Sequence, residues 1–316
     1  MISLSDIRVA HDRIRHVIVR TPVMRSTTID NITGCEVYFK CENFQRVGAF
    51  KFRGAFNVVS QLTENERNRG VIAHSSGNHA QALSLAASML GVKATIVMPE
   101  NSPKVKVNAT RGYGAEIVFC ENNTESRVAV TNELIEKFGY ILVHPYNDLR
   151  IIAGAGTATL ELIDEIGPLD YVFAPVGGGG LVSGTTIATK GLCPSAKVFA
   201  VEPANADDAY RSIKADKILP SINPNTIADG LRTQLGDITF EIIRDYVDDI
   251  ILVEEREIIE AMKLLWERMK LVVEPSGAVS LAGFLKISND LDKKRIGILI
   301  SGGNIDLTDF FKKYFY

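Results

Sequence analysis

Short runs of β-branched and other apolar residues alternate along this chain with longer stretches in which apolar residues recur every three or four positions. The short runs predict β-strands, and the longer stretches predict amphipathic helices. The predicted strands are 36–40, 70–74, 94–98, 116–119, 171–174, 197–201 and 295–300, and the predicted helices include 80–90, 126–138, 154–166 and 256–269. Such alternation is typical of parallel sheets covered by helices, so we predict an α/β fold.

The order of these units predicts two domains. Three strand–helix units lie between about residues 70 and 143, which is enough for a compact small domain that we assign to 67–146. The flanking segments, 1–66 and 147–316, would combine into a larger domain. We expect a functional site in the cleft where the two sheets meet.

Composition and charge exclude several kinds of partner. Of the 316 residues, 46% are hydrophobic and 23% are charged, as in an ordinary globular protein. The net charge is −3 and no run of Lys and Arg could follow a phosphate backbone, so we expect no nucleic-acid partner. No apolar stretch approaches the ~20 residues of a membrane helix, and the amphipathic N-terminus is unlike a signal peptide, so we expect a cytoplasmic protein.

The cysteines carry little functional signal. They lack the spacing of metal ligands, and in a reducing compartment we interpret them as small buried apolar residues rather than disulfides. They are Cys35, Cys41, Cys120 and Cys193.

Four consecutive glycines follow the strand predicted to end near Pro175 and precede a helix-like stretch. Without Cβ atoms, their backbone can approach an anion closely, and the amides at the following helix start add partial positive charge. This pattern predicts a phosphate-binding loop, although neither a Walker motif nor a dinucleotide fingerprint is present. The alternative is a flexible loop. The residues are Gly177, Gly178, Gly179 and Gly180.

Lys51 lies between Phe50 and Phe52, just ahead of an apolar helix predicted to begin near Ala55. Burial among aromatic rings would lower the pKa of this lysine, and a neutral amine attacks carbonyl groups. A Schiff base with pyridoxal phosphate is the commonest use of such a lysine beside a phosphate site. Taken alone, Lys51 also fits a surface residue whose aliphatic stem packs on the protein.

A polar turn follows the predicted strand 70–74 and leads into a helix. Backbone amides at this helix start suit a substrate carboxylate, and the hydroxyl of Ser76 could transfer a proton. The alternative is a simple helix cap. The residues assigned to the carboxylate are Ser75, Ser76, Gly77, Asn78 and His79.

Ser301 begins a Ser-Gly-Gly-Asn segment after the last predicted strand. Its hydroxyl could hydrogen-bond the pyridine nitrogen of the cofactor, and a neutral hydroxyl would leave that nitrogen unprotonated. A plain loop is the alternative interpretation.

These motifs resemble, in order and nearly end to end, those of the serine racemase and serine/threonine dehydratase family of pyridoxal phosphate enzymes. The resemblance implies fold type II, like the tryptophan synthase β subunit, with two open parallel-sheet α/β domains and the active site in the cleft between them. The motifs that carry it are Thr21-Pro22, Phe50-Lys51-Phe52-Arg53-Gly54-Ala55, Ser75-Ser76-Gly77-Asn78-His79, Ala153-Gly154-Ala155-Gly156-Thr157, the four glycines, Asp229-Gly230, Glu274-Pro275 and Ser301-Gly302-Gly303-Asn304.

The resemblance also implies roles for individual residues. Lys51 would carry the cofactor as a Schiff base and act as one proton-transfer base, with Phe50 against the cofactor ring and Asn78 on its hydroxyl. Ser76 would be the acid/base on the opposite face. Two bases on opposite faces permit racemisation of serine, and loss of the β-hydroxyl instead permits elimination to pyruvate and ammonia. The four glycines would hold the phosphate.

A divalent cation is implied by the segment that follows the predicted strand 197–201. By resemblance its ligands would be the carboxylates of Glu202 and Asp208 and the carbonyl oxygen of Ala206. All-oxygen ligation suits Mg²⁺, and also Ca²⁺ or Mn²⁺. From composition alone, this acidic loop would be interpreted as a solvated surface segment.

The family also suggests assembly and regulation. A homodimer is expected, without the isoleucine-responsive regulatory domain of biosynthetic threonine dehydratases. Mammalian members bind a nucleotide between subunits, and Ser26, Gln81 and Tyr113 fit that pattern, which makes a nucleotide effector a candidate partner. Arg46-Val47 departs from it, because a lysine is usual there.

We therefore predict a serine racemase with L-serine and L-threonine dehydratase (ammonia-lyase) activity. The alternative within the family is a dedicated threonine or 3-hydroxyaspartate dehydratase, for which Arg232 could bind a second carboxylate. Outside this branch, the competing hypotheses are a β-replacement enzyme such as cysteine synthase and a non-catalytic module that binds pyridoxal phosphate.

Overall fold

The computed structural model describes residues 2–102 and 104–314, and in this part of the chain ten strands form two separate sheets. The strands are β1 (Val23–Met24), β2 (Glu36–Cys41), β3 (Val71–His74), β4 (Ala94–Pro99), β5 (Glu116–Cys120), β6 (Ile141–Leu142), β7 (Tyr171–Pro175), β8 (Lys197–Pro203), β9 (Asp249–Val253) and β10 (Arg295–Ile300). The α-helices are α1 (Leu4–Ile14), α2 (Thr27–Thr33), α3 (Lys51–Val59), α4 (Glu64–Arg69), α5 (Asn78–Met89), α6 (Lys104–Gly112), α7 (Thr124–Phe138), α8 (Leu149–Ile166), α9 (Gly180–Leu192), α10 (Asp208–Lys214), α11 (Asp237–Tyr246), α12 (Glu255–Leu264), α13 (Pro275–Ile287) and α14 (Leu307–Tyr314).

The larger sheet has the strand order β1-β2-β10-β7-β8-β9. Only β1 is antiparallel to its neighbour among these strands, and β10 pairs in parallel register with both β2 and β7. Residues Ile296–Ile300 are all buried, because the strand lies between two others and helices cover the sheet. The last strand in the sequence is therefore central in the sheet.

The smaller sheet has the order β5-β4-β3-β6 and is parallel throughout. All six residues of its inner strand β4 are buried, as a strand covered on both faces requires. Its strands all lie between Val71 and Leu142, whereas the strands of the larger sheet come from the flanking segments. The domain limits at 67–146 are compatible with this division but stay a prediction.

The prediction of an α/β fold with parallel sheets is confirmed, and each of the seven predicted strands forms. The four cysteines are buried and free, as expected. Two helix starts were wrong: the helix expected near Ala55 begins at Lys51, since Phe50 already has helical backbone angles, and the helix predicted over 154–166 begins at Leu149. No helix in the described residues is long and apolar enough to cross a membrane.

The Ala153–Thr157 motif allows three helices to pack closely. A Cβ atom on Gly154 would lie 2.7 Å from the Arg53 carbonyl oxygen, and one on Gly156 would lie 2.8 Å from the Gly184 carbonyl oxygen. Glycine is therefore needed where α8 crosses α3 and α9. This part of the family motif fixes the position of α3, the helix that begins with Lys51.

Candidate active site

Segments from both sheets meet at the carboxyl ends of their parallel strands. The Asn78 side-chain amide, from the turn after β3, donates to Glu274 Oε1 (2.8 Å), and Asn304, beyond β10, donates to Asn78 Oδ1 (2.9 Å). The Phe50 amide donates to the Ser301 carbonyl oxygen (3.0 Å). The strand-end turn, the lysine segment and the last loop are thus brought together, as ligand sites in open α/β sheets require.

Lys51 is the first residue of α3, and its Nζ atom donates to the Pro145 carbonyl oxygen at 2.8 Å. The same atom lies 5.0 Å from the centre of the Phe50 ring. Burial lowers the pKa of Lys51 to about 8, although the nearby Glu274 carboxylate opposes the change. A lysine with this environment can supply a neutral amine near physiological pH.

The glycine loop joins β7 to α9. Gly179 has φ +89°, and a Cβ on Gly177 would lie 2.9 Å from the Cα atom of Leu231. The Tyr146 ring occupies the space that a side chain on Gly178 would need. The first helical hydrogen bond of α9 runs from the Ser183 amide to the Gly179 carbonyl oxygen (2.9 Å). Amides at the helix start are therefore free for an external anion, and the loop fits a phosphate group.

The turn after β3 also presents free amides. Ser75 Oγ accepts from the Gly77 amide (3.3 Å), and the first amide that bonds back along α5 is that of Gln81 (3.4 Å). Helix geometry then leaves three amides for an anion such as a substrate carboxylate. They belong to Asn78, His79 and Ala80.

The side chains of this turn differ in their surroundings. Ser76 is half-buried, whereas the buried His79 ring donates from Nε2 to the Val143 carbonyl oxygen (2.9 Å). Burial lowers the pKa of His79 to about 3, so the ring is neutral. An anion at this turn would therefore meet the backbone amide of His79 and not its ring.

Ser301 is buried, and its hydroxyl donates to the Ser276 carbonyl oxygen at 3.3 Å. A hydroxyl has one proton, so a hydrogen bond to a pyridine nitrogen would require this proton to turn away from Ser276. The long existing bond is compatible with that change.

Sequence reasoning assigned no role to several residues that the structure brings to this site. Burial raises the pKa of Glu274 to about 8, so its carboxyl is largely protonated near neutral pH. His144 Nδ1 accepts from the Asn147 amide (2.9 Å), and burial lowers its pKa to about 4. The Glu-Pro and His-Pro pairs were visible in the sequence, but nothing in either pair indicated proximity to Lys51.

The proposed cation ligands lie at the end of β8. Glu202 accepts from the amides of Ala209 (2.8 Å) and Tyr210 (2.9 Å) at the start of α10, and burial raises its pKa to about 9. Both carboxylate oxygens of the buried Asp208 lack a hydrogen bond of ordinary geometry from the described residues.

The charge at Asp208 is also poorly compensated. Burial raises the pKa of Asp208 to about 6, and the nearby Ser221 hydroxyl opposes this rise only in part. Arg211 pairs with Asp207 instead (2.8 Å). Two such carboxylates fit a hard cation, although the described residues contain no cluster of three His, Cys, Asp or Glu side chains.

Arg232, considered as a receptor for a second carboxylate, is engaged elsewhere. Its Nε and Nη2 atoms both donate to the carbonyl oxygen of Thr226. A substrate carboxylate would have to compete with that contact, and the role of Arg232 stays a prediction.

A family model described as "Pyridoxal-phosphate dependent enzyme" matches residues 14–302. The chain therefore belongs to the family of pyridoxal-phosphate dependent enzymes, and its architecture is fold type II.

Two curated relatives are similar over nearly their whole length. The chain is 50% identical to the serine racemase of Dictyostelium discoideum over 98% of this chain and 97% of that protein. It is 48% identical to the L-threo-3-hydroxyaspartate ammonia-lyase of Saccharomyces cerevisiae over 96% of this chain and 93% of that protein.

Solved structures agree with these similarities. The crystal structure of the Dictyostelium serine racemase matches with a TM-score of 0.92 over 97% of this chain and 99% of that chain. The structure of maize serine racemase, at 44% identity, matches with a TM-score of 0.94 over 98% of this chain and 96% of that chain.

Proposed function

We propose that this chain is a serine racemase that interconverts L- and D-serine and also eliminates ammonia from L-serine and L-threonine, giving pyruvate and 2-oxobutyrate. The observation that carries this proposal is the position of the half-buried Lys51 amine. Its pKa is lowered to about 8, and it hydrogen-bonds Pro145 where the segments after β3 and β10 meet.

Lys51 and Ser76 are the proposed proton-transfer groups. Pyridoxal phosphate, when bound, supplies an electron sink that makes the α-proton of an amino acid removable. Lys51 would hold the cofactor and take or return the proton on one face, and Ser76 would act on the other. Transfer on both faces gives racemisation, whereas departure of the β-hydroxyl gives elimination.

The remaining site residues are proposed to bind and orient. Phe50 would lie against the cofactor ring, Asn78 would bond its hydroxyl and Ser301 its nitrogen. The phosphate would be held by Gly177–Gly180, and the free amides at the start of α9 support this assignment. The substrate carboxylate would lie at the Ser75–His79 turn.

We also propose that Glu202, Asp208 and the Ala206 carbonyl oxygen bind a divalent cation, with Mg²⁺ preferred and Ca²⁺ or Mn²⁺ accepted. The carboxylate oxygens of the buried Asp208, which lack hydrogen bonds of ordinary geometry from the described residues, support this site. A homodimer and a nucleotide effector remain family-based proposals, and a cytoplasmic location is proposed from composition.

Product analysis tests the proposed function. Purified holoenzyme is incubated with L-serine, with and without Mg²⁺, and D-serine and pyruvate are measured together. D-serine formed at a rate comparable to pyruvate supports the racemase. Pyruvate alone would contradict it, and 3-hydroxyaspartate turned over far faster than serine would identify the dehydratase alternative.

A further inference from the structure

Arg53 lies two residues after Lys51 on α3 and is completely buried. Helix geometry puts positions i and i+2 about 200° apart around the axis. The guanidinium therefore extends from the side of α3 opposite to the Lys51 amine, into the larger sheet's side of the molecule.

All five N–H groups of Arg53 are used. Nε and Nη2 donate to the two oxygens of Glu42 (2.7 and 2.8 Å), and Nη1 and Nη2 donate to the two oxygens of Glu161 (2.9 and 2.8 Å). Nη1 also donates to Thr157 Oγ1 (3.2 Å). One side chain thus connects α3 to the end of β2 and to α8.

The two carboxylates are themselves fixed by neighbours. Lys40 Nζ lies 2.8 Å from Glu161 Oε2 and donates to the Thr21 carbonyl oxygen (2.7 Å), while the Thr21 hydroxyl donates to Glu42 Oε1 (2.5 Å). Lys40, Glu42 and Glu161 are buried, so two positive and two negative charges balance within the protein, and the His11 ring borders the network with Nε2 3.5 Å from Glu161 Oε1.

A buried ion network of this kind is a poor means of gaining stability, because desolvation of the charges offsets their attraction. The network instead fixes the orientation of the Arg53 side chain, since a planar guanidinium held by two carboxylates has one orientation. The close approach of Gly154 to the Arg53 carbonyl oxygen, where a Cβ would lie at 2.7 Å, removes further freedom from the same turn.

We propose that Arg53, held by Glu42 and Glu161, is a positioning residue that fixes the first turn of α3 and thereby the direction of the Lys51 amine. This inference rests on the proposed role of Lys51. It assigns a use to the Thr21-Pro22 and Phe-Lys-Phe-Arg motifs, which the proposed chemistry leaves partly unexplained.

The test compares Arg53→Lys, which keeps the charge but cannot bridge both carboxylates, with Arg150→Lys. Arg150 is the matched control, because its side chain pairs with Asp148 at the surface, outside the network. Met262→Ala, a buried residue of α12 in the hydrophobic core, controls for loss of stability alone.

Two readouts are needed. In cofactor-free protein, the reactivity of the Lys51 amine is followed against pH by reductive methylation and peptide mass spectrometry. In holoenzyme, kcat and KM for L-serine are measured beside the melting temperature.

For Arg53→Lys we expect kcat/KM to fall on the order of 100-fold, as for misplacement of a reacting group by about 1 Å. We also expect the midpoint of Lys51 titration to move, while Arg150→Lys and Met262→Ala leave it unchanged. If Arg53→Lys does not fold, Glu161→Gln is measured instead, with a smaller loss of kcat/KM and the same movement of the midpoint expected.

The proposal is overturned if the folded variant melts at a lower temperature but keeps the kcat/KM and the Lys51 midpoint of the Arg150→Lys control. Failure of the proposed function is separate: wild-type protein would then load the cofactor on Lys51 yet turn over no serine, and the methylation readout would still apply.

Discussion

The Nζ atom of Lys51 donates a 2.8 Å hydrogen bond to the carbonyl oxygen of Pro145, which lies 94 residues further along the chain. Lys51 begins a helix from the segment that precedes the smaller sheet, and Pro145 lies just after β6, the last strand of that sheet. The contact therefore closes a loop around the smaller sheet. It also holds the amine between the two sheets.

The amine of Lys51 should titrate near pH 8 in cofactor-free protein, because burial lowers its pKa to about 8. Below this pH it is protonated and unreactive, and above it the free base reacts. Glu274→Gln should move the midpoint lower, because the fraction of Glu274 that is ionised near pH 8 raises the pKa of Lys51. Labelling with an amine reagent across pH checks this, with Lys51→Arg identifying the signal. A midpoint near that of exposed lysines would contradict it.

Replacement of Ser76 by alanine should separate the two proposed activities. Loss of one acid/base group costs roughly 10²- to 10⁴-fold in rate, so D-serine formation should fall by at least the lower figure. Pyruvate formation should persist, because Lys51 alone suffices for the first proton transfer. Ser88→Ala is the control, since Ser88 is exposed near the far end of α5, away from the turn. If Ser76→Ala loses D-serine and pyruvate formation equally, Ser76 is not the acid/base on the face opposite Lys51.

The strands were predictable where an apolar run was long enough to show a pattern. β1 and β6 have two residues each and carry no pattern, the apolar residues of β9 lie between acidic ones, and no strand was predicted for any of the three. The glycine loop and the lysine segment were found because their residue types are unusual for their positions. Local chemistry therefore predicted the parts of the site that a single segment supplies.

The rest of the site depends on contacts between distant segments. Charged residues are rarely fully buried, so nothing in the sequence indicated that Lys40, Glu42 and Arg53 lie in the interior. Glu274 meets Asn78 across 196 residues, and its raised pKa follows from burial that only the folded chain creates. Arg232 looked available in the sequence but is bound to a backbone carbonyl.

Alanine at Gly178 should abolish cofactor binding, because its Cβ would overlap the Tyr146 ring. Either the ring or the loop must then shift, and the amides at the start of α9 lose their alignment. Gly112→Ala, on α6, is the control, since a Cβ there meets no atom within 4 Å. Titration of cofactor-free protein with pyridoxal phosphate, followed by absorbance, gives the affinity. Wild-type affinity in Gly178→Ala would exclude the phosphate assignment.

His79 should make the protein sensitive to acid. Its pKa is lowered to about 3 by burial, so the unfolded chain binds a proton more readily than the native state. This contribution to stability is complete above the ordinary pKa of 6.5 and is lost as pH falls towards 3. The free energy of unfolding therefore rises with pH in that window. His79→Gln should make this rise smaller by about 1.4 kcal/mol per pH unit.

Denaturant unfolding between about pH 4 and 6 measures this slope. His16→Gln is the control, because His16 is exposed. If His79→Gln keeps the pH dependence of the wild-type unfolding free energy, the buried His79 ring is not the cause of the acid sensitivity.

Mg²⁺ should stabilise the protein through Asp208, whose buried oxygens lack ordinary hydrogen bonds from the described residues. A cation at 100 times its Kd adds about 2.7 kcal/mol to the free energy of unfolding, which is visible as a higher melting temperature. Asp208→Asn should lose this rise and, without metal, be at least as stable as wild type, because a poorly compensated buried charge is gone. Asp207→Asn should keep the rise, since Asp207 pairs with Arg211 near the surface. If Mg²⁺ raises the melting temperature of Asp208→Asn as much as that of wild type, the cation binds elsewhere.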